Sequence, residues 1–324
     1  MKNKIAVVFG GTGFIGRQIV RELASQGVRV KVATRVPESA YFLKPYGAVG
    51  QVVPVLCDYS KPESIHDIIR GADFVVNSVG ILFQKGKAKF SKVHTDLPAN
   101  IAQACVDNAV DRFVHISALG CEDGASKYAK SKLAGEEAIK EIFPNVTILR
   151  PSVVFGPDDD FFNKFAEMSV YPIMLPLIGG GKTKFQPVYV GDVADAVMCS
   201  LTLPLCANQN PCGQTYELGG PEVVSFKDIY KLIAKYTGRK RILLPLPFCM
   251  AKVMAMCMSL LPKPPLTCDQ VTSLKQDNIL SETSLSLADL GIQPKAMASV
   301  VPDYLERYRS GGKFASELEA SNPA

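Results

Sequence analysis

The first two dozen residues constrain this chain more than any other stretch. An apolar run, Ile5-Ala6-Val7-Val8-Phe9, stops at Gly10-Gly11-Thr12-Gly13-Phe14-Ile15-Gly16, and apolar residues then recur at helical spacing through Ile15, Ile19, Val20 and Leu23. The pattern predicts a buried strand, a tight turn and a helix. Glycines in the turn let another group approach the backbone closely. The helix N-terminus beyond it offers N–H groups and a partial positive charge, which suit a pyrophosphate. In this setting Gly10, Thr12, Gly13, Phe14, Ile15 and Gly16 are the expected dinucleotide contacts.

The rhythm continues through the first half. Val28–Ala33, Val52–Leu56, Asp73–Asn77, Arg112–Ser117 and Val146–Leu149 read as further buried strands. Helical stretches fall near 62–70, 95–109 and 126–142, the first opened by the capping-box signature Ser60-Lys61-Pro62-Glu63. Alternation of this kind predicts an α/β fold of Rossmann type, a doubly wound parallel sheet covered on both faces. After Pro151 prolines and glycines crowd the chain, and shorter elements follow: a strand over Phe185–Val190, helices over 192–202 and 225–237, and a strand over Thr215–Leu218. The expected division is a dinucleotide-binding domain over 1–151, a smaller mixed α/β substrate or partner domain over 152–310 with some crossing of segments, and a flexible tail over 311–324.

Composition excludes several classes. The nine cysteines include no Cys-x-x-Cys pair, and only His66, His94 and His115 could join them, so no metal site is expected. Unpaired thiols fit a reducing compartment. The apolar run after Lys2 and Lys4 is five residues long, too short for the core of a secretory signal. A formal net charge of +5 over 324 residues is no footprint for nucleic acid.

Residues beyond the glycine turn bear on the choice of nucleotide. An acid at the end of the second strand would bond a ribose 2′-OH. The chain instead reads Val32-Ala33-Thr34-Arg35, with no acid between Glu22 and Glu38. Arg35 suits a 2′-phosphate, so NADP(H) is preferred, with NAD(H) the alternative. Asp58, after the third strand, is placed either to bond the adenine amine or to cap the next turn. Ser78, Val79 and Gly80, after the fourth, would run beneath the nucleotide.

With Gly10–Gly16, Asn77-Ser78-Val79-Gly80, Tyr128-Ala129-Lys130-Ser131-Lys132 and Arg150-Pro151-Ser152-Val153-Val154-Phe155-Gly156-Pro157 in order, the chain resembles the extended and atypical short-chain dehydrogenase/reductases. Phe161-Phe162-Asn163-Lys164-Phe165 and Phe185-Gln186-Pro187-Val188-Tyr189-Val190-Gly191-Asp192-Val193-Ala194 narrow the likeness to the nucleotide-binding accessory subunits of respiratory complex I and their bacterial relatives. The resemblance implies that Tyr128 and Lys132, one helical turn apart, serve a nicotinamide site. In active members the tyrosine is the proton donor and the lysine holds the ribose. It also adds Ser117, Tyr128, Lys132 and Pro151 to the nucleotide contacts. The third catalytic hydroxyl is where the chain departs from the pattern. Either Ser117 supplies it, or Ser117 matches the preceding position and Ala118 stands in its place. Eleven positions separate Ser117 from Tyr128, short for the extended enzymes. His115 reads as a core residue and His94 as a backbone support; Asp192 reads as a helix N-cap and Asp158-Asp159-Asp160 as solvated loop.

Two stretches of the second half are unusually apolar. Tyr171–Gly181 has no charge, and Ile242–Pro262 carries only Lys252, directly after Arg239-Lys240-Arg241. Pro245 and Pro247 shorten the helical part of the second below a membrane span. The expectation is therefore core burial, or docking at a membrane or partner surface, without a transmembrane span. Two functions remain open. One is an NADP(H)-holding accessory or assembly protein of a membrane-bound NADH:quinone oxidoreductase or quinone-related system. The other is an active reductase or epimerase on an apolar carbonyl, quinone or isoprenoid compound, with a nucleotide sugar a weaker fit. The expected location is cytoplasmic, at the cytoplasmic face of the inner membrane if peripheral, and the matrix side if mitochondrial.

Overall fold

The computed structural model describes residues 3–170, 174–202, 210–259, 261 and 264–312. The expected tail falls largely at 313–324, outside the described residues, as do 171–173 of the first apolar stretch. The chain divides into two compact units built from interleaved segments. The first comprises residues up to Pro151, Val190–Leu218 and Leu280–Gln293; the second comprises Ser152–Tyr189, Gly219–Ile279 and the chain from Pro294 on.

The first unit is a seven-stranded parallel sheet. Its first six strands are β1 (Ile5–Phe9), β2 (Arg29–Thr34), β3 (Val52–Leu56), β4 (Phe74–Asn77), β5 (Arg112–Ile116) and β6 (Thr147–Pro151), and Thr215–Leu218 is the seventh. The order runs from that seventh strand through β6, β5, β4, β1 and β2 to β3. Every pair is parallel, so all the strands end on one edge. The connecting helices are α1 (Phe14–Ser25), α2 (Pro62–Ile69), α3 (Leu97–Asp107) and α4 (Lys127–Ile142), joined later by Val190–Thr202. On one face Val7, Phe9, Val75 and Phe113 pack with Ile65 and Ile69 of α2, Ile101 of α3 and Ile139 of α4. On the other, α1 packs with Val190–Thr202. The central strands β1, β4, β5 and β6 are buried on both faces because their side chains meet a helix above or below, while the edge strand β3 leaves Val53 and Leu56 exposed.

The second unit has its own aromatic core around Phe162, Phe185, Phe226 and Tyr230. The helix Phe226–Thr237 opens with a capping box between Ser225 and Asp228. A parallel two-stranded ladder joins Met174–Ile178 to Ile242–Leu246, and the helix Phe248–Met258 follows.

Four local expectations are corrected. The segment Phe185–Val190 is not one strand: Lys184–Phe185 pairs with Val224–Ser225, and Val188–Tyr189 pairs with Val154–Phe155, because Pro187 interrupts the ladder. Ser60 does not cap α2. Its hydroxyl donates to Asp58 Oδ1 at 2.7 Å, and the N-cap position falls to Lys61. Asp192 lies within the first turn of Val190–Thr202, buried, not at its N-cap. Asp159 is no solvated loop residue. It is buried, accepts from the N–H groups of Gly156, Phe161 and Asn163, and takes the Tyr304 hydroxyl at 2.8 Å.

Candidate functional site

Strand order reverses at β1, which lies between β4 and β2. A crevice at such a point, beyond the strand ends, is where doubly wound sheets bind ligands. The sequence-predicted residues gather along that edge. Gly10–Gly13 follow β1, Arg35 follows β2, Asp58 lies two residues past β3, Ser78–Gly80 follow β4, Ser117 follows β5 and Pro151 ends β6.

The glycine turn fits a pyrophosphate for reasons visible in the backbone. Gly10 has φ +77°, and a Cβ there would sit 2.9 Å from the backbone of Ser78 and Val79. A Cβ on Gly16 would fall 2.1 Å from Gly10 O, so α1 rests directly on the turn. Helix α1 starts at a glycine N-cap with no side-chain cap and no acid in its first turn. Nothing there opposes an anion. Ser78 fixes the neighbouring strand end, donating from both N–H and Oγ to Phe9 O at 3.0 and 2.8 Å. Arg17, which sequence reasoning missed, reaches back to the turn, its guanidinium on Gly13 O and Thr12 O.

Arg35 is exposed at the end of β2, its guanidinium 6.0 Å from the centre of the Tyr59 ring. The Tyr59 hydroxyl donates to Ala33 O at 2.7 Å, which fixes the ring beneath the arginine. Burial pushes that phenol up to about 12. Tyr59 was legible only as an aromatic following Asp58. Asp58 itself is exposed, and its carboxylate accepts from Ser60 N–H and Oγ, which holds its pKa below the usual value. The geometry therefore gives Asp58 a turn-capping contact, whatever else it meets.

At the β4–β5 end, α4 brings Lys132 under the crevice. Its amine is buried, donates to Ile116 O at 3.0 Å and lies beside Gly80. Burial lowers its pKa to about 8, against the opposing pull of Glu136 and Cys121. Tyr128, one turn earlier, packs edge-on against His94, ring centroids 5.4 Å apart, and Phe90 stacks on the imidazole and meets the Tyr128 ring edge at 6.0 Å. Burial pushes the Tyr128 phenol up to about 12, so it keeps its proton at neutral pH. The preceding α4 turn is held by Ser126, which caps the helix through Ala129 N–H.

The two histidines are pinned as scaffold. Ile81 N–H donates to His94 Nε2 at 3.1 Å, so the ring proton sits on Nδ1 and goes to Ser131 Oγ; that hydroxyl donates on to Tyr128 O. Desolvation, then the Lys132 charge, lowers His94 to about 3. In β4, Asn77 Oδ1 accepts from Val79 N–H, which leaves its amide to donate to His115 Nδ1 at 3.1 Å. The His115 proton therefore sits on Nε2, buried and without a hydrogen bond.

Ser117 is buried, and its hydroxyl faces the Glu136 carboxylate without a hydrogen bond of standard geometry. Glu136 is the centre of a buried cluster. It takes Arg150 Nε and Nη2 at 3.0 and 2.6 Å and Cys121 Sγ at 3.3 Å, while Arg150 Nη1 reaches Glu122 at 2.8 Å. Sequence reasoning did not pair Glu136 with Arg150. The one available signal was the single charge, Arg150, on the otherwise buried strand β6. Among the described residues no group of three or more metal-ligating side chains occurs, and no helix is long and apolar enough to cross a membrane.

Residues 6–219 match the NAD dependent epimerase/dehydratase family. Across 98% of its length the chain is 33% identical to a mitochondrial NADH dehydrogenase (ubiquinone) 1 alpha subcomplex subunit 9 of Arabidopsis thaliana, covering 82% of that protein. The Mus musculus protein of the same name is 31% identical, with 99% of this chain and 84% of the mouse protein covered. In fold it is similar to the NADP(H) complex of a Citrobacter sp. triphenylmethane reductase, with a TM-score of 0.72, 22% identity, and coverage of 93% and 99% of the two chains. A nucleotide-binding sheet with its glycine turn, and relatives matching almost end to end, lead to one conclusion: the chain belongs to the NAD dependent epimerase/dehydratase family, on the branch that includes the subunit 9 proteins of mitochondrial NADH dehydrogenase.

Proposed function

We propose that the chain holds NADP(H) along the β1–β4 crevice as an accessory component of a membrane-bound NADH:quinone oxidoreductase, with the nucleotide stabilising the protein rather than turning over. The single observation that carries the proposal is the setting of Ser117. Its hydroxyl is buried beside Glu136 and Cys121 without a hydrogen bond of standard geometry, and the next residue in the chain is Ala118, which has no hydroxyl. A proton relay through a hydroxyl just after β5 would then lack its donor, while Gly10, Arg35, Ser78 and Gly80 lie just past the ends of β1, β2 and β4. Gly10, Gly13, Gly16, Arg35, Ser78, Gly80 and Lys132 are the proposed holding residues. When bound, the nucleotide would supply hydride chemistry; this chain's residues bind and orient it. The subunit 9 relatives support the membrane-complex partner; the cytoplasmic or matrix side is part of the proposal.

A second reading, an NADP(H)-dependent reductase of an apolar carbonyl, is favoured by Tyr128 and Lys132 standing together on α4. One experiment separates the two. The purified protein is denatured and its released nucleotide identified, and NADPH oxidation is followed against quinone and carbonyl panels. Recovery of NADP(H) without turnover is the expected result. Turnover that Tyr128→Phe abolishes would sink the accessory role.

A further inference from the structure

The helix Phe248–Met258 is built the wrong way round for a helix that serves only its own core. Its fully buried positions are Ala251 and Ala255. Phe248 packs on the core, but three large side chains point outward: Met250, Val253 and Met256 are 58%, 58% and 62% exposed, at the i, i+3 and i+6 spacing of one stripe, with Cys249 and Cys257 exposed beside them. The strand before it repeats the arrangement. Leu243 and Leu175 face inward, while Ile242, Leu244 and the paired Met174 are each more than half exposed. A helix apolar on all sides is normally covered. No charge other than Lys252 occurs from 242 to 262, and no acid at all.

The cations sit where that apolar surface begins. Arg239, Lys240 and Arg241 run directly into the strand Ile242–Leu246. With Lys231 they rim a cavity of about 150 Å³ whose walls include Leu175, Tyr230, Ile233 and Leu243, and no acid lines it. Lys231 is already paired with Asp228. The guanidinium groups of Arg239 and Arg241 are steadied on the carbonyls of Tyr308 and Ser169, contacts that leave their positive charge uncancelled. An apolar strand and helix without acids of their own, preceded directly by three cations, are complementary to an anionic bilayer, whose headgroups would meet the arginines and whose acyl chains would meet the methionines.

We infer that this face of the second unit docks on an anionic phospholipid bilayer. The helix Phe248–Met258 lies in the interface plane, with Met250, Val253 and Met256 in the hydrocarbon. Its eleven residues are too short to cross. The inference goes beyond the nucleotide site and does not depend on it, so each can fail without the other.

The chain has no tryptophan. Val253→Trp therefore introduces a lone fluorophore at an exposed position. The full-length protein is mixed with vesicles of phosphatidylcholine containing 30 mol% phosphatidylglycerol, or of phosphatidylcholine alone. Flotation with the anionic vesicles, a blue shift of the new tryptophan and its quenching by brominated acyl chains are expected. Lys240→Glu should lower vesicle affinity about tenfold at low salt and less at high salt. Met250→Glu/Val253→Glu/Met256→Glu should abolish flotation while the far-UV circular dichroism and the cooperative thermal melt of the protein are unchanged, which shows that the variant is folded. No flotation at low salt would overturn the inference, as would equal flotation of the triple variant. A dimer that the triple variant converts to monomer would overturn it too, by making the face a contact between copies.

Discussion

Arg35 stands at the end of β2 with its guanidinium over Tyr59 and no acid within the strand, a setting matched to a phosphate on the ribose. Arg35→Ala should weaken NADPH by about tenfold or more, the scale of a lost charge-assisted contact, and change NADH by less than about twofold. Calorimetric titration of both nucleotides checks this; equal losses for the two would remove the 2′-phosphate from the account. His94 offers a pH test. Its folded pKa of about 3, set by burial and by Lys132, lies below the ordinary histidine value. His115 is shifted in the same direction. A depressed histidine means that the unfolded chain binds the proton first. Stability is thus full above about pH 6.5 and falls as pH drops below it, at about 1.4 kcal/mol per unit per histidine. His94→Gln keeps an acceptor for Ile81 N–H and removes one proton from that slope. Urea melts between pH 7 and 5 read the difference, and an unchanged slope would exclude His94 from it.

Helix α4 joins the two jobs of the first unit. One turn sets Tyr128 against His94 and Lys132 beside Gly80, and the next sends Glu136 into the interior against Arg150 of β6. Burial by itself would raise the Glu136 pKa, but the Arg150 hydrogen bonds outweigh it and keep the carboxylate ionised. Arg150→Met leaves that charge buried without its partner and should cost about 3–5 kcal/mol, measured by denaturant unfolding. Glu136→Gln/Arg150→Met should recover most of that loss, because the pair and not either charge is what the interior tolerates. A double variant no more stable than Arg150→Met would show that the loss lies in packing alone.

The elements themselves were largely legible. Strand, turn and helix at 5–25 follow from neighbours in sequence, and so does the edge on which Arg35 and Ser78–Gly80 gather. What sequence did not reveal depends on partners far along the chain. Glu136 meets Arg150 across two elements, and Asp159 meets Tyr304 from 145 positions away. Ser60 failed as a cap because Asp58, two residues back, took its hydroxyl first. Ile242–Pro262 was readable as apolar, but which of its side chains turn outward follows only from the alanines at 251 and 255.

At the scale of the molecule, ligand binding and folding are one equilibrium. A nucleotide held by the folded first unit alone stabilises it by about 2.7 kcal/mol at a hundred times its Kd. For a unit of this size that is roughly a 5–10 °C rise in Tm. Scanning calorimetry with NADPH should show the rise, and Gly16→Ala, whose methyl would meet Gly10 O, should lower the baseline Tm and erase it. A ligand-independent Tm in the wild type would contradict a structural role for the nucleotide.

The interleaving of segments also has a consequence for biosynthesis. Six strands are complete when residue 151 emerges, but the strand that closes the β6 side of the sheet is not translated until 215–218, and its own neighbours at 280–293 come later still. Until then a nascent chain presents β6 as a bare edge with its hydrogen-bonding groups open to other chains. A stalled or truncated product ending near Pro151 would carry the whole glycine turn and still aggregate.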